Sequence, residues 1–200
     1  MDARFLPWAL TLLACTIAGA LPAADEPVDA TSYPRTILLI RHAEKPAETV
    51  VSPHLSPEGD KRAEALFEIF QSSPQRAEAF PKPDFIFAAR DSKMSSRCSE
   101  TVAPLAKRLK LDVNSHFANE DFAKLAYELL HKRRYADKTV LVCWHHGLLS
   151  PLAVQLKVAN APESWKSHIF DRVWEITYDR DGKTTWRDRP QRLLAGDADK

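Results

Sequence analysis

Thr36-Ile37-Leu38-Leu39-Ile40-Arg41-His42-Ala43-Glu44-Lys45-Pro46 is the stretch that decides how this chain is read. Its apolar run, Ile37 to Ile40, predicts a buried strand. The run stops at an Arg-His pair, which a hydrophobic interior does not accept unless both side chains have partners. A buried strand ending in a cation and an imidazole aims both at one place in front of the sheet. In open α/β sheets that place, outside the carboxyl ends of the strands, is where ligands bind. Arginine grips phosphate through a planar fork and histidine can act as a nucleophile, so the pair points to phosphoryl chemistry.

Two further apolar runs repeat the pattern. Phe85-Ile86-Phe87-Ala88-Ala89 leads towards Arg97, and Thr139-Val140-Leu141-Val142-Cys143-Trp144 leads into His145-His146-Gly147. Helical segments lie between the strands. Ser56-Pro57-Glu58-Gly59 is a helix start, with Ser56 as N-cap and proline at the first helical position. Ala63, Leu66, Phe67 and Phe70 then recur at helical spacing to about Gln71. Val102, Leu105, Ala106 and Leu109 mark a second helix starting near Ser99, and Phe122, Leu125, Ala126 and Leu129 a third. A fourth follows Gly147 through Leu156, and Leu111-Asp112-Val113 could form a short strand. Val173 to Tyr178 alternates as an edge strand should, and Asp181-Gly182 turns it back towards Thr184 to Arg187. Strands alternating with helices predict a three-layer α/β/α sandwich with a mainly parallel central sheet, broken in rhythm only by that hairpin.

The 200 residues fit one domain, and 28 Lys+Arg against 27 Asp+Glu give no general basic character. A nucleic-acid partner is therefore not expected. The ends read differently from the middle. Arg4, the apolar run Phe5 to Leu21 and Ala18-Gly19-Ala20 predict a signal peptide over 1–24, and with it a secreted or periplasmic protein. Leu12-Leu13-Ala14-Cys15 is similar to a lipoprotein box, but the chain stays apolar through Leu21, which makes lipidation of Cys15 the less favoured alternative. No membrane span is expected after residue 25, because no apolar run there approaches the roughly 20 residues needed. Residues 25–34 read as an exposed lead-in, 35–190 as the domain and 191–200 as a flexible tail. Cys98 and Cys143 do not make a disulfide framework. Cys143 reads as a small buried hydrophobe, and whether the two cysteines pair is left open.

The ordered set of motifs resembles the histidine phosphatase superfamily, the phosphoglycerate-mutase-like proteins. Arg41-His42-Ala43-Glu44 is similar to its Arg-His-Gly or Arg-His-Ala signature, and Leu55-Ser56-Pro57-Glu58-Gly59 with Arg62-Ala63 to its helix start. Ser96-Arg97 with Glu100-Thr101-Val102-Ala103-Pro104-Leu105-Ala106, and Val140 to Gly147, complete the likeness, which spans Thr36 to about Tyr178. The resemblance implies a phosphoglycerate-mutase-like fold and an exported phosphomonoester phosphatase working through a phosphohistidine on His42. Arg41 and Arg97 would clamp the phosphoryl oxygens, and no metal or cofactor is implied. The second histidine is His146 or His145. Ungapped matching selects His145, whereas the following glycine and a Trp-x-His subgroup select His146, which this reading favours. The resemblance also places a proton-donating carboxyl after the second arginine, with Glu120 first and Asp121 second. Glu44 and Lys45 are candidates for substrate binding, and Ser92 and Lys93 match a further phosphate-side position poorly. A mutase and a phosphate-binding pseudoenzyme of the same fold are the alternatives. The partner implied is a small phosphorylated substrate; identity of that ester and oligomeric state are not fixed by the residues.

Overall fold

The computed structural model describes Met1, residues 33–47 and residues 49–198; the expected signal segment and most of the lead-in lie outside the described residues. Strand β1 (Thr36–Arg41) is buried along its whole length, as is β4 (Thr139–Trp144). Uninterrupted apolar runs of this kind suit strands covered on both faces. Between them the chain forms α1 (Pro57–Ala65), β2 (Phe85–Ala88), α2 (Arg97–Leu109), β3 (Val113–Asn114) and α3 (Phe122–His131). After β4 come α4 (His146–Gln155), β5 (Arg172–Tyr178) and β6 (Thr184–Pro190).

Among the described residues these six strands make one sheet in the order β3-β2-β4-β1-β5-β6. The pairs β3–β2, β2–β4 and β4–β1 are parallel, and β1–β5 and β5–β6 are antiparallel. The mainly parallel expectation therefore holds on one side of β1, and the C-terminal hairpin supplies the antiparallel remainder. From β1 the chain steps through β2 to β3 in one direction across the sheet, then returns to β4 in the other. Right-handed crossovers put helices of opposite steps on opposite faces. The packing agrees: α1 lies against α2, and α3 against α4. The reversal falls between β1 and β4, which are neighbours with Arg41 in register with Trp144. Open α/β sheets bind ligands at such a switch point.

Local differences from the sequence reading have simple causes. The second helix begins at Arg97, not near Ser99, with Ser96 as its cap residue, so Arg97 occupies the first helical position. The helix expected to reach Gln71 tightens into a 3₁₀ turn over Leu66–Phe70. The expected flexible tail is corrected for residues 191–198. Gln191 is 1% exposed, its N–H donates to Asp171 O at 2.7 Å, and Ala198 N–H donates to Asp171 Oδ2 at 2.6 Å. Long-range partners order this stretch, which has no periodicity of its own. At the other end of the sheet, Tyr33 stacks on Tyr178 with ring centroids 5.8 Å apart and accepts a hydrogen bond from Lys157 Nζ.

One glycine fixes how α1 meets the end of β1. Ser56 caps the helix through its hydroxyl, which accepts from Gly59 N–H, and Ser56 N–H donates to Glu44 O. A Cβ on Gly59 would stand 2.3 Å from Glu44 O. That oxygen is backbone and cannot swing aside. Gly59→Ala should therefore destabilise the protein by about 1–3 kcal/mol, the usual cost of overpacking. Urea unfolding would check this; an unchanged midpoint would show that the Glu44 backbone is free to move.

Candidate active site

Arg41 and His42 lie at the carboxyl end of β1 and are 1% and 2% exposed. His42 N–H donates to Trp144 O at 3.1 Å, extending the β1–β4 ladder by one bond. Ala43 N–H donates to Thr101 Oγ1 at 2.8 Å, and that hydroxyl donates in turn to Arg97 O. The first turn of α2 thus holds the residue after His42 and carries Arg97 alongside. His42 Nδ1 is 2.7 Å from Ala43 O. A carbonyl can only accept, so Nδ1 carries the proton and Nε2 keeps its lone pair. Burial, joined by repulsion from Arg41, His145 and Arg97 and opposed by the Ala43 bond, lowers the His42 pKa to about 3. The ring is neutral at physiological pH and fixed in one tautomer.

The arginines are held by carbonyls. Arg41 Nη1 donates to Ser167 O at 2.5 Å and to Ile169 O at 3.2 Å, while its Nε and Nη2 are buried and unpartnered. Arg97 Nη1 donates to Ser52 O at 2.8 Å, and its Nε is likewise buried and unpartnered. Burial and then repulsion from Arg97 lower the Arg41 pKa to about 10, which leaves it charged at neutral pH. Unpaired buried N–H groups on two neighbouring guanidinium ions are costly. An oxyanion would satisfy all of them.

The two candidate histidines relate to His42 and Arg41 in different ways. The His145 ring stands edge-on to His42 with centroids 5.3 Å apart. His146 opens α4, and burial together with Arg41, Lys45 and His145 lowers its pKa. Alternation along a strand, which sends neighbouring side chains in opposite directions, has no bearing on the two histidines. The strand ends at Trp144, and His145 is the residue at which the chain turns into the helix, so alternation does not extend to this pair.

Other candidates are placed differently. Glu44 directs its carboxylate at Arg62, with N–O distances of 2.7 to 3.0 Å, and the far side of Arg62 binds Asp197 at 2.7 and 2.9 Å. Lys45 is half-buried near enough to His146 to repel its charged form. Trp144 Nε1 donates to Asn119 O at 3.1 Å, which ties the 3₁₀ turn Asn119–Asp121 to the end of β4. On that turn Glu120 is exposed. Asp121 accepts from Ala118 N–H and from Lys124, and the bonds to Lys124 and Ala118 hold its pKa below the usual range. Ser92 closes a tight turn with Ser95, with Lys93 exposed between them. Cys98 and Cys143 are free buried thiols. Burial raises the Cys98 pKa, but hydrogen bonds from Cys143 and His145 outweigh it and lower the net value. Phe170, Thr101 and Asp197 also support the site, and the sequence reading missed these contributions. Thr101 was in view as part of a motif; Phe170 lies in a loop with no local signal.

No family model and no curated protein matches this sequence. Solved structures do match. The protein histidine phosphatase SixA, complexed with tungstate, superposes with a TM-score of 0.53 at 15% identity, covering 78% of this chain and 97% of its own. Phosphoglycerate mutase from Plasmodium falciparum gives 0.50 at 15% identity, over 80% and 92%. The fold is therefore the phosphoglycerate-mutase-like fold of the histidine phosphatases.

His42 couples the site to stability. Its folded pKa, about 3, lies below its ordinary 6.5, so between these values the unfolded chain takes up a proton that the folded protein refuses. The stability linked to His42 is full above 6.5 and is lost as pH falls towards 3. Between pH 6.5 and 5 the wild type should lose on the order of 1–2 kcal/mol more than His42→Asn. Urea unfolding at the two pH values measures the difference; parallel losses in both proteins would contradict it.

Proposed function

We propose that this chain is an exported phosphomonoester phosphatase that works through a phosphohistidine on His42 and needs no metal. The observation that carries the reading is a neutral His42, Nε2 free, beside the buried Arg41 and the half-buried Arg97, with three buried and unpartnered N–H-bearing nitrogens between them. His42 Nε2 attacks phosphorus as the P–O ester bond breaks, and the leaving oxygen takes a proton from Glu120. Water then attacks phosphorus, giving a proton back to Glu120, as the P–N bond breaks and its electron pair returns to His42 Nε2, and inorganic phosphate leaves. Arg41 and Arg97 neutralise the equatorial oxygens in both steps, the role that metal ions have in kinases. His145, the imidazole set against His42, serves as the second catalytic histidine, and His146 adds charge control next to Arg41. Lys45 contacts the rest of the substrate, while Glu44 fixes the loop through Arg62. Export is supported by Arg4, the apolar run and Ala18-x-Ala20, and it favours extracytoplasmic phosphate esters over a cytosolic phosphoprotein.

His42→Ala should abolish turnover, because the covalent route is lost. Arg41→Ala and Arg97→Ala should each cost on the order of 10²–10³ in rate, as for loss of an electrostatic donor. His145→Ala should be more damaging than His146→Ala, and Glu120→Gln should slow esters with poor leaving groups most. Acid quench with labelled substrate should trap an acid-labile, alkali-stable phosphate on His42. A panel of phosphomonoesters, with phosphohistidine and phosphoglycerate included, separates release of phosphate from isomerisation. Activity should survive EDTA and be blocked by vanadate or tungstate. Full turnover by His42→Ala would end the proposal, as would activity lost to a chelator and restored by magnesium or zinc.

The mature protein, isolated from the envelope fraction, should begin between Leu21 and Asp25 on N-terminal sequencing. An intact Met1 terminus on cytosolic protein would contradict export, and a lipid on Cys15 would establish the lipoprotein alternative.

A further inference from the structure

We infer that Phe170 is a positioning residue for Arg41, setting which edge of the guanidinium meets the substrate. The inference rests on the anion site proposed above. Arg41 Cζ lies 3.8 Å from the Phe170 ring centroid, and the same ring is 6.1 Å from His42. The backbone just before Phe170 takes the opposite edge, since Ser167 O and Ile169 O both accept from Nη1. Two carbonyls on one nitrogen and an aromatic face against the plane remove the freedom of the group to rotate. What is left is the edge formed by Nε and Nη2, both buried and unpartnered, which is the pair that can grip two oxygens of one phosphate at once.

The loop that presents Phe170 is itself braced. Trp165 Nε1 donates to Ile169 O at 2.9 Å, and the Trp165 ring packs on Trp174 with centroids 4.8 Å apart. Gln191 Nε2 donates to Phe170 O at 3.3 Å and to Arg172 O at 3.2 Å. The ring therefore has a fixed backbone under it. Phe170 also acts on charge. Arg41 and Arg97 repel one another, and a cation over an aromatic face is attracted by the ring quadrupole, more strongly when desolvated. Phe170 thus offsets part of the repulsion before any anion arrives.

The test uses the full-length protein and three readouts: vanadate affinity by calorimetry, kinetics with p-nitrophenyl phosphate, and thermal unfolding. Phe170→Leu keeps apolar bulk and removes the π face. It should weaken vanadate binding and lower kcat by about tenfold each, the size of one desolvated cation–π contact, with KM changed less than kcat. Phe170→Tyr, which restores the face, should recover both to within about threefold. Should Phe170→Leu unfold at the assay temperature, Phe170→Met carries the same expectation. Wild-type vanadate affinity in the leucine or methionine variant overturns the inference, as does a tyrosine variant no better than leucine. Arg41→Ala is the control for the underlying reading. If it weakens vanadate binding while Phe170→Leu does not, the anion site stands and only the role of Phe170 falls. If it binds vanadate normally, both fall together.

Discussion

Two guanidinium groups and a neutral imidazole buried together at the end of a central strand form an arrangement that a folded chain resists. Arg41 and Arg97 repel each other, burial penalises the charge on Arg41, and Glu44 offsets part of this without forming an ion pair with either arginine among the described residues. The surrounding structure is built to withstand this. Backbone carbonyls from two separate loops, at Ser52 in one and at Ser167 and Ile169 in the other, accept from the cations without introducing a negative charge. A carboxylate in their place would stabilise the empty site and weaken it for anions. The same repulsion and burial keep His42 unprotonated, so the strain of the site also leaves its Nε2 lone pair free.

The carboxylate nearest in sequence, Glu44, is held in a second ion cluster and acts on Arg41 only through its field. Arg62 binds Glu44 on one side and Asp197 on the other, with Gln191 Oε1 accepting at 3.2 Å. Burial raises the Asp197 pKa, but Arg62 and the N–H groups of Leu193 and Leu194 more than compensate and lower it. The last residues of the chain thereby brace both the loop after His42 and the loop carrying Phe170. A buried pair such as Arg62–Glu44 adds little net stability over apolar packing, though loss of one partner is severe. Its value here is geometric: it takes a negative charge away from the place where phosphate would bind.

Much of this could be read from the residues. Buried strands show as apolar runs, and Arg41, His42, His145 and His146 stand where two of those runs give way to polar chemistry. Arg97 was legible through its motif, although the helix boundary was two residues out because no strong cap precedes it: Ser96 makes no side-chain cap bond. Phe170 and residues 191–198 were not legible. Their conformations depend on partners more than a hundred residues away in sequence, as with Arg41 and Ser167 or Arg62 and Asp197, and such contacts leave no periodicity in either segment. The residues left His145 and His146 open because ungapped matching and the following glycine select different positions.

Tyr33 joins the sheet at the amino end of β1, stacked on Tyr178 and bonded to Lys157, whereas Arg41 and His42 leave from the carboxyl end. Six extended residues separate the two ends, about 20 Å at the usual strand rise. Anything joined ahead of Tyr33 therefore enters on the side of the molecule opposite the arginines. A surface holding the chain by its amino-terminal side would leave the Arg41–His42 end of the sheet turned outward, away from that surface.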